Sequence, residues 1–281
     1  MKKYKQICFD SIDWHNPNQA QHYDLEHYAK NNDLSFWVKI AKKVRGSILE
    51  IGCGTGRVTL PILENGINIY GIDKSLVMIE ELIKKTKIAK TKATPHLFVD
   101  DMKTFDLKRH FSLIICPFNT FLTLLSNDER QAFLTNVYYH LKKGGLFVFD
   151  VLDSNTNYLV PTKKWRLEKI NKYPNGYLSK RYFLNKNKNM KTKTINIKFK
   201  TELFNDKGKL INRWFFNYFS AFLKTREIII LLEKYGFSIE TIYGDYKGTK
   251  LQHVKIPENR IFIARKDCYK NAFSFQHEPR N

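Results

Sequence analysis

The chain has 281 residues, 43% hydrophobic and 14% aromatic, a globular composition that can bury one good core and a smaller addition. Lys and Arg number 48 against 27 Asp and Glu, a formal charge of +21, which fits either a phosphate-bearing or otherwise acidic partner or a plain bias in a chain rich in Lys, Asn and Ile. Cys8, Cys53, Cys116 and Cys268 form no Cys-x-x-Cys pair, the N-terminus has no apolar signal core, and neither a membrane-spanning run nor a basic amphipathic helix is present, so the expectation is a cytoplasmic protein with no disulfide framework, no metal and no membrane partner.

Residues 1–46 begin polar and aromatic and turn helical. In 33-DLSFWVKIAKKV-44 the apolar positions Leu34, Trp37, Val38, Ile40, Ala41 and Val44 recur at helical spacing, with Asp33 placed to cap. Residues 47–151 alternate strand and helix patterns. ILEI is the first strand, and a helix over Arg57–Asn65 closes at Gly66. INIYGI is the second strand, followed by a helix over Ser75–Lys85 with Ser75 as cap. HLFV and FSLIIC are the third and fourth strands. The stretch 127–145 reads as a helix, acidic early and ending in glycine, and LFVFDV is the fifth strand. Such alternation predicts a parallel sheet covered by helices on both faces. From 164 to 220 the period becomes two, with turn signals at Tyr173–Gly176 and Asn205–Gly208, which predicts antiparallel strands inserted after the fifth strand. Between 151 and 215 there are 16 Lys and Arg against 4 Asp and Glu. A helix from a Thr225 cap to Tyr235 and the strands FSIETIY and 260-RIFIAR-265 resume the α/β pattern, and 267–281 reads as a loose tail.

The stretch 48-ILEIGCGTGRVTLPI-62 is a buried strand, a tight turn and a helix start, a place where a ligand can approach the backbone and meet free N–H groups. A dinucleotide fingerprint is spaced G-x-G-x-x-G. Here Gly52, Gly54 and Gly56 are spaced G-x-G-x-G, and the third glycine of the dinucleotide pattern would fall at Arg57. That loop, 70-YGIDKS-75, 100-DDMKTF-105 and 112-SLIICPFNTF-121, in this order, resemble the class I S-adenosylmethionine-dependent methyltransferases.

The resemblance implies a Rossmann-like doubly wound sheet of seven strands, the last antiparallel, with S-adenosyl-L-methionine as cofactor. It implies that residues 47–151 and 221–266 form the cofactor domain, that 152–220 is a basic antiparallel β insertion, and that 1–46 is a helical lid. Gly52, Cys53, Gly54, Gly56 and Arg57 would carry the loop beside the methionine portion, with Glu50 toward the cofactor's amino group. Asp73, with Lys74 beside it, could accept both ribose hydroxyls. Asp101 would accept from the adenine amino group, Met102 would pack on the ring, and Pro117 and Phe118 would lie near the sulfonium.

The acceptor is less marked. The Asn/Asp-Pro-Pro-aromatic motif of amino-directed DNA methyltransferases is absent, since the chain reads Cys116-Pro117-Phe118-Asn119, and the Pro-Cys order of a 5-methylcytosine enzyme is reversed. Asn119 could still accept a hydrogen bond from a substrate. The insertion and the lid carrying His22-Tyr23-Asp24 resemble small-molecule enzymes acting on the amino group of nucleotide-linked sugars or on glycine. Tyr23, Asn119 and Asp245 are therefore the candidate catalytic residues, with His22, His27, Tyr243 and His253 as further candidate bases. The expected acceptor is an N or O atom of a small, anionic or phosphate-bearing molecule, handled by a monomer or homodimer. An RNA acceptor is the alternative, with Tyr177, Tyr182, Phe183, Trp214, Phe215 and Tyr218 as stacking surfaces. A cofactor-binding module without catalysis is the third reading.

Overall fold

Two sheets organise the chain in a computed structural model that describes residues 5–8, 17–154 and 159–267. The elements β1 (Lys5–Cys8), α1 (Pro17–His27) and α2 (Leu34–Lys43) come first. Then follow β2 (Ile48–Ile51), α3 (Thr59–Glu64), β3 (Ile69–Asp73), α4 (Leu76–Ala89), β4 (Pro95–Val99), β5 (Phe111–Cys116), α5 (Asn127–His140) and β6 (Leu141–Leu152). Next come β7 (Arg166–Lys172), β8 (Leu178–Asn189), β9 (Thr194–Phe204) and β10 (Leu210–Ala221), and finally α6 (Thr225–Lys234), β11 (Phe237–Tyr243) and β12 (Asn259–Lys266).

The apolar runs build the seven-stranded sheet, ordered β11-β12-β6-β5-β2-β3-β4. Strands β4, β3, β2, β5 and β6 are parallel, and β12 runs antiparallel between β6 and β11. This is the α/β sheet that the alternation and the resemblance predict. All four residues of β2 are buried, as a central strand covered on both faces requires. One face packs Leu49, Ile51, Phe147 and Phe149 under α5 and α6; the other packs Ile48, Leu113 and Val148 under α2 and α3. Strand order reverses at β2, between β3 and β5, so the ligand crevice of such a sheet lies outside the carboxyl end of β2.

Several boundaries differ from the sequence expectation for local reasons. Helix α3 is shorter than Arg57–Asn65, and α4 runs on to Ala89, where Lys90 turns left-handed. Ser75 does cap α4, accepting from the Met78 N–H. Helix α5 opens on a capping box between Ser126 and Glu129 and ends at His140, because Leu141 already pairs with Phe111 of β5 and the Lys266 ammonium donates to the Tyr138 and Leu141 carbonyls. Asp33 sits at the start of α2 without capping it; its carboxylate instead takes Arg57 and the Trp37 indole N–H. Thr225 does not cap α6 either: its hydroxyl accepts from Arg260, and Glu227 accepts from the Lys224 N–H.

The second sheet, ordered β1-β10-β9-β8-β7, comes from the period-two segment, with β1 added in parallel to β10. Two of its hairpins turn at Gly176 and Gly208, both at positive φ, and the third, between β8 and β9, turns at Lys193, also at positive φ. Phe183, Ile195, Ile197, Phe199 and Phe216 form a small core on one face. The fully buried Arg260 joins the sheets: it pairs with Asp153 at 3.1 Å and donates to the Leu152 and Leu223 carbonyls. Among the described residues no helix is long and apolar enough to cross a membrane.

Candidate active site

The glycine turn after β2 is built for close approach. Gly52 has φ +72 and Gly54 φ +52, a left-handed backbone that side chains disfavour. A Cβ on Gly52 would lie 2.8 Å from the Thr120 side chain, whereas one on Gly54 would meet nothing nearer than the Asp73 carboxylate at 4.0 Å. The Gly52 and Cys53 N–H groups donate to the Ile72 carbonyl, and Asp73, ending β3, accepts from the Gly54 N–H at 3.0 Å and the Ser75 N–H at 2.9 Å. These bonds fix the Asp73 carboxylate at the crevice edge. Asp101 accepts from the Lys103 N–H at 2.8 Å, and the Lys103 ammonium is shared with Glu129.

At the end of β5, Phe118 and Asn119 are both left-handed, with φ of +60 and +62. Two non-glycine residues in that region cost about 1–3 kcal/mol each, so the surroundings must hold them. Asp150, buried and third from the end of β6, accepts from the Asn119 N–H at 3.4 Å and from the Tyr246 hydroxyl at 2.5 Å. The Arg57 guanidinium lies 4.5 Å from the centre of the Phe118 ring. The Asn119 Oδ1 atom is buried with no hydrogen-bond partner, an acceptor that a ligand N–H or O–H would satisfy.

Helix α1 covers the crevice and is tied to the glycine turn. Thr55 donates to Asp24 at 2.6 Å, Lys85 pairs with Asp24 at 2.6 Å, and Arg57 forks onto Asp33 at 2.7 and 2.8 Å. Arg57 therefore acts as the bracket between lid and loop. The Tyr23 ring lies 4.5 Å from His27, and His27 lies 4.7 Å from Phe118. Burial pushes the Tyr23 hydroxyl up to about 12. Burial, with the charges of Lys169, Arg181 and Arg57, holds His27 well below the ordinary imidazole range, so its ring is neutral.

The inner face of the second sheet closes the far side. Glu26 of α1, 4% exposed, accepts from Thr201 at 2.6 Å and pairs with Arg181 at 3.2 Å. Arg181 also pairs with Glu168 and stacks 3.9 Å from the Phe199 ring centre. Lys169 donates to the Glu26 carbonyl at 2.5 Å, and burial brings its ammonium down to about 8.

One cavity of ≈ 990 Å³ runs from Gly52, Gly54 and Asp73 to Arg181, Phe199 and Tyr218. Of the residues proposed from the sequence, Gly52, Gly54, Asp73, Lys74, Asp101, Met102, Phe118, Tyr23 and Asn119 line it, as do His22 and His27. Cys53, Gly56, Arg57 and Pro117 stand outside its wall. Glu50 is also behind the wall, buried and accepting from Thr59 at 2.6 Å, and burial pushes its carboxyl up to about 8. Asp245 does not line it: its carboxylate accepts from the Lys247 and Thr249 N–H groups and shapes the turn, so the neighbouring Tyr246 reaches the cavity instead. Tyr243 and His253 are likewise absent from the wall. The sequence offers 244-GDYKGT-249 as a Gly–Asp–aromatic loop over the site, and its aromatic, Tyr246, does line the cavity; sequence reasoning missed Glu26, Lys30, Lys169, Arg181 and Asp150, for which the His22 to Glu26 spacing on one helix face was the available signal.

Residues 48–145 match the family model described as "Methyltransferase domain". The glycine/sarcosine N-methyltransferase of Aphanothece halophytica is 24% identical over 246 residues, 86% of this chain and 84% of that protein. The putative methyltransferase YqeM of Bacillus subtilis is 30% identical over 140 residues, 48% of this chain and 54% of its own length, so the match spans about half of that relative. Among solved structures, an S-adenosylmethionine-dependent methyltransferase from Clostridium acetobutylicum superposes with a TM-score of 0.73 at 19% identity, covering 89% of this chain and 98% of that one. Streptomyces venezuelae DesVI superposes with a TM-score of 0.67 at 18% identity, covering 90% and 98%.

Proposed function

Residues 48–145 belong to the methyltransferase domain family and the fold is that of the class I S-adenosylmethionine-dependent enzymes; from that premise we propose that this protein methylates the amino group of a small anionic molecule. The observation that carries the reading is the single cavity that joins the glycine turn to the inner face of the second sheet. S-adenosylmethionine held at this turn would supply an electrophilic methyl on a sulfonium, to be passed to an amine nitrogen that sheds a proton, the S–CH3 electron pair staying with sulfur. The protein's part is alignment and exclusion of water. Gly52 and Gly54 give the backbone access, Asp73 and Asp101 offer carboxylates to the ribose and adenine, and Met102 offers an apolar flank. The buried Asn119 Oδ1 accepts from the incoming N–H and directs its lone pair.

The acceptor end favours a neutral amine on an anionic body. Lys30, Lys169 and Arg181 line it beside Glu26 and Glu168, and the burial and neighbouring positive charges that keep His27 unprotonated also disfavour an ammonium there. Burial of Phe183 and Trp214 in the sheet supports a small acceptor over RNA, since neither ring is open to stack a base. The N-methyltransferase names of the glycine/sarcosine relative and of a trideoxy-aminosugar relative point the same way.

The test is calorimetry with S-adenosylmethionine, followed by a turnover screen of amino acids, amino sugars, their phosphates and their hydroxy analogues. Micromolar cofactor binding with turnover of an anionic amine is the expected result. Folded protein that fails to bind the cofactor, or that turns over RNA alone, overturns it.

A further inference from the structure

Asp150 is an unusual residue to find behind the wall of such a cavity. It is fully buried, yet among the described residues no lysine, arginine or histidine pairs with it. Its two hydrogen bonds come from neutral donors, the Tyr246 hydroxyl at 2.5 Å and the Asn119 N–H at 3.4 Å. Both donors belong to residues that line the cavity, so the carboxylate stands one residue behind its surface. Of the other groups whose charge or titration couples to it, Arg57 compensates in part. Arg57 acts at longer range and is already held by Asp33, which repels Asp150; the Cys116 thiol and the Tyr218 hydroxyl are neutral. A buried carboxylate without a cation is costly, and a cationic ligand in the adjoining space relieves that cost.

We propose that Asp150 is the fixed counter-charge for the cofactor's sulfonium, so that the site prefers S-adenosylmethionine to its neutral product S-adenosylhomocysteine. The inference rests on the cofactor reading above. The two nucleosides differ in one methyl group and one positive charge, and everything else about their recognition is shared. A negative charge fixed near the cavity therefore acts on their difference, favouring entry of the charged form and release of the spent one. Desolvation raises the Asp150 carboxyl to about 6, with the Tyr246 hydrogen bond opposing that rise. The counter-charge is present at neutral pH and is lost as pH falls through that value.

The experiment is calorimetric affinity for both nucleosides at pH 7.5 and pH 5.5, in wild type and Asp150→Asn, with melting curves to show that each protein is folded. At pH 7.5 the substitution is expected to weaken S-adenosylmethionine about tenfold, the effect of one charge at moderate range and intermediate dielectric, and to leave S-adenosylhomocysteine within about twofold. In wild type the ratio of the two affinities should collapse on acidification and in the variant it should not change. Taking the ratio cancels any titration that acts on the parts the nucleosides share. Tyr246→Phe is the second probe: it keeps the carboxylate but removes a donor that favours its charged form, so the pH midpoint of the ratio should move upward. An equal loss for both nucleosides, or a ratio indifferent to pH and to both variants, overturns the inference while leaving the cofactor reading intact. If neither nucleoside binds folded wild type, the cofactor reading fails and this inference fails with it.

Discussion

Glu50 is a buried carboxyl group whose hydrogen-bond donor is the Thr59 hydroxyl, and desolvation raises it from 4.5 to about 8. Between those values the folded protein keeps a proton that the unfolded chain gives up, so stability falls as pH rises through that window. Asp150, raised from 3.8 to about 6, acts in the same direction over the lower part of the range. Below pH 6.5 the buried His22, His27 and His140, all lowered, act the other way, so the ligand-free protein is expected to melt at progressively lower temperature between pH 6.5 and pH 8. Glu50→Gln, which can still accept from Thr59, should flatten the upper part of that slope and melt above wild type at pH 8. A scanning-fluorimetry series in matched buffers checks it, and parallel slopes would remove Glu50 as the cause. The sequence shows an acid ending a strand before a glycine turn and suggests that it faces the ligand. It does not show that the first residue of the next helix carries a hydroxyl that reaches back to the acid, because that depends on how tightly the turn folds.

Elements end where distant residues stop them. Helix α5 was readable at its start, where Ser126 and Glu129 form a local capping box, and not at its end, where Lys266 arrives from β12, distant in sequence. The same contrast separates two glycines. Gly66 has φ +78 and open space around its missing Cβ, while Gly56 has φ +90 and would place a Cβ 2.2 Å from the Leu82 side chain of α4. Gly56→Ala should cost about 2–4 kcal/mol through backbone strain plus overpacking, and Gly66→Ala about 1–2 kcal/mol through backbone strain alone. Urea denaturation of the two variants beside wild type measures the difference, and equal costs would mean that α4 yields at the contact. Both glycines stood out in the sequence, but only packing separates their roles.

At the scale of the molecule, α1 is held between the sheets by charge. The sequence marks the inserted segment as basic, and period-two alternation by itself assigns the lysines of a run such as 195-INIKFK-200 to the face opposite its apolar residues. A register shift in β7 between Leu167 and Lys169 instead puts Lys169 opposite Arg181, turned toward the cavity. A one-residue irregularity of that kind has no signature in composition or period. Breaking the resulting cluster should be expensive: Glu26→Ala removes one of the carboxylates that Arg181 pairs with and is expected to cost about 3–5 kcal/mol. Denaturation reports the loss, and faster proteolytic cutting near α1 would place it at the lid; an unchanged cutting rate would argue against that placement. The long reach of this cluster bears on how the chain is made. Glu26 leaves the ribosome well before Arg181 and Thr201, the latter 175 positions later. At ordinary rates of translation that is a wait of about ten to thirty seconds, during which the carboxylate lacks both of these partners. Helix α1 thus cannot settle on its native surface until synthesis has passed β9, so a segment made before either sheet is complete is among the last to find its place.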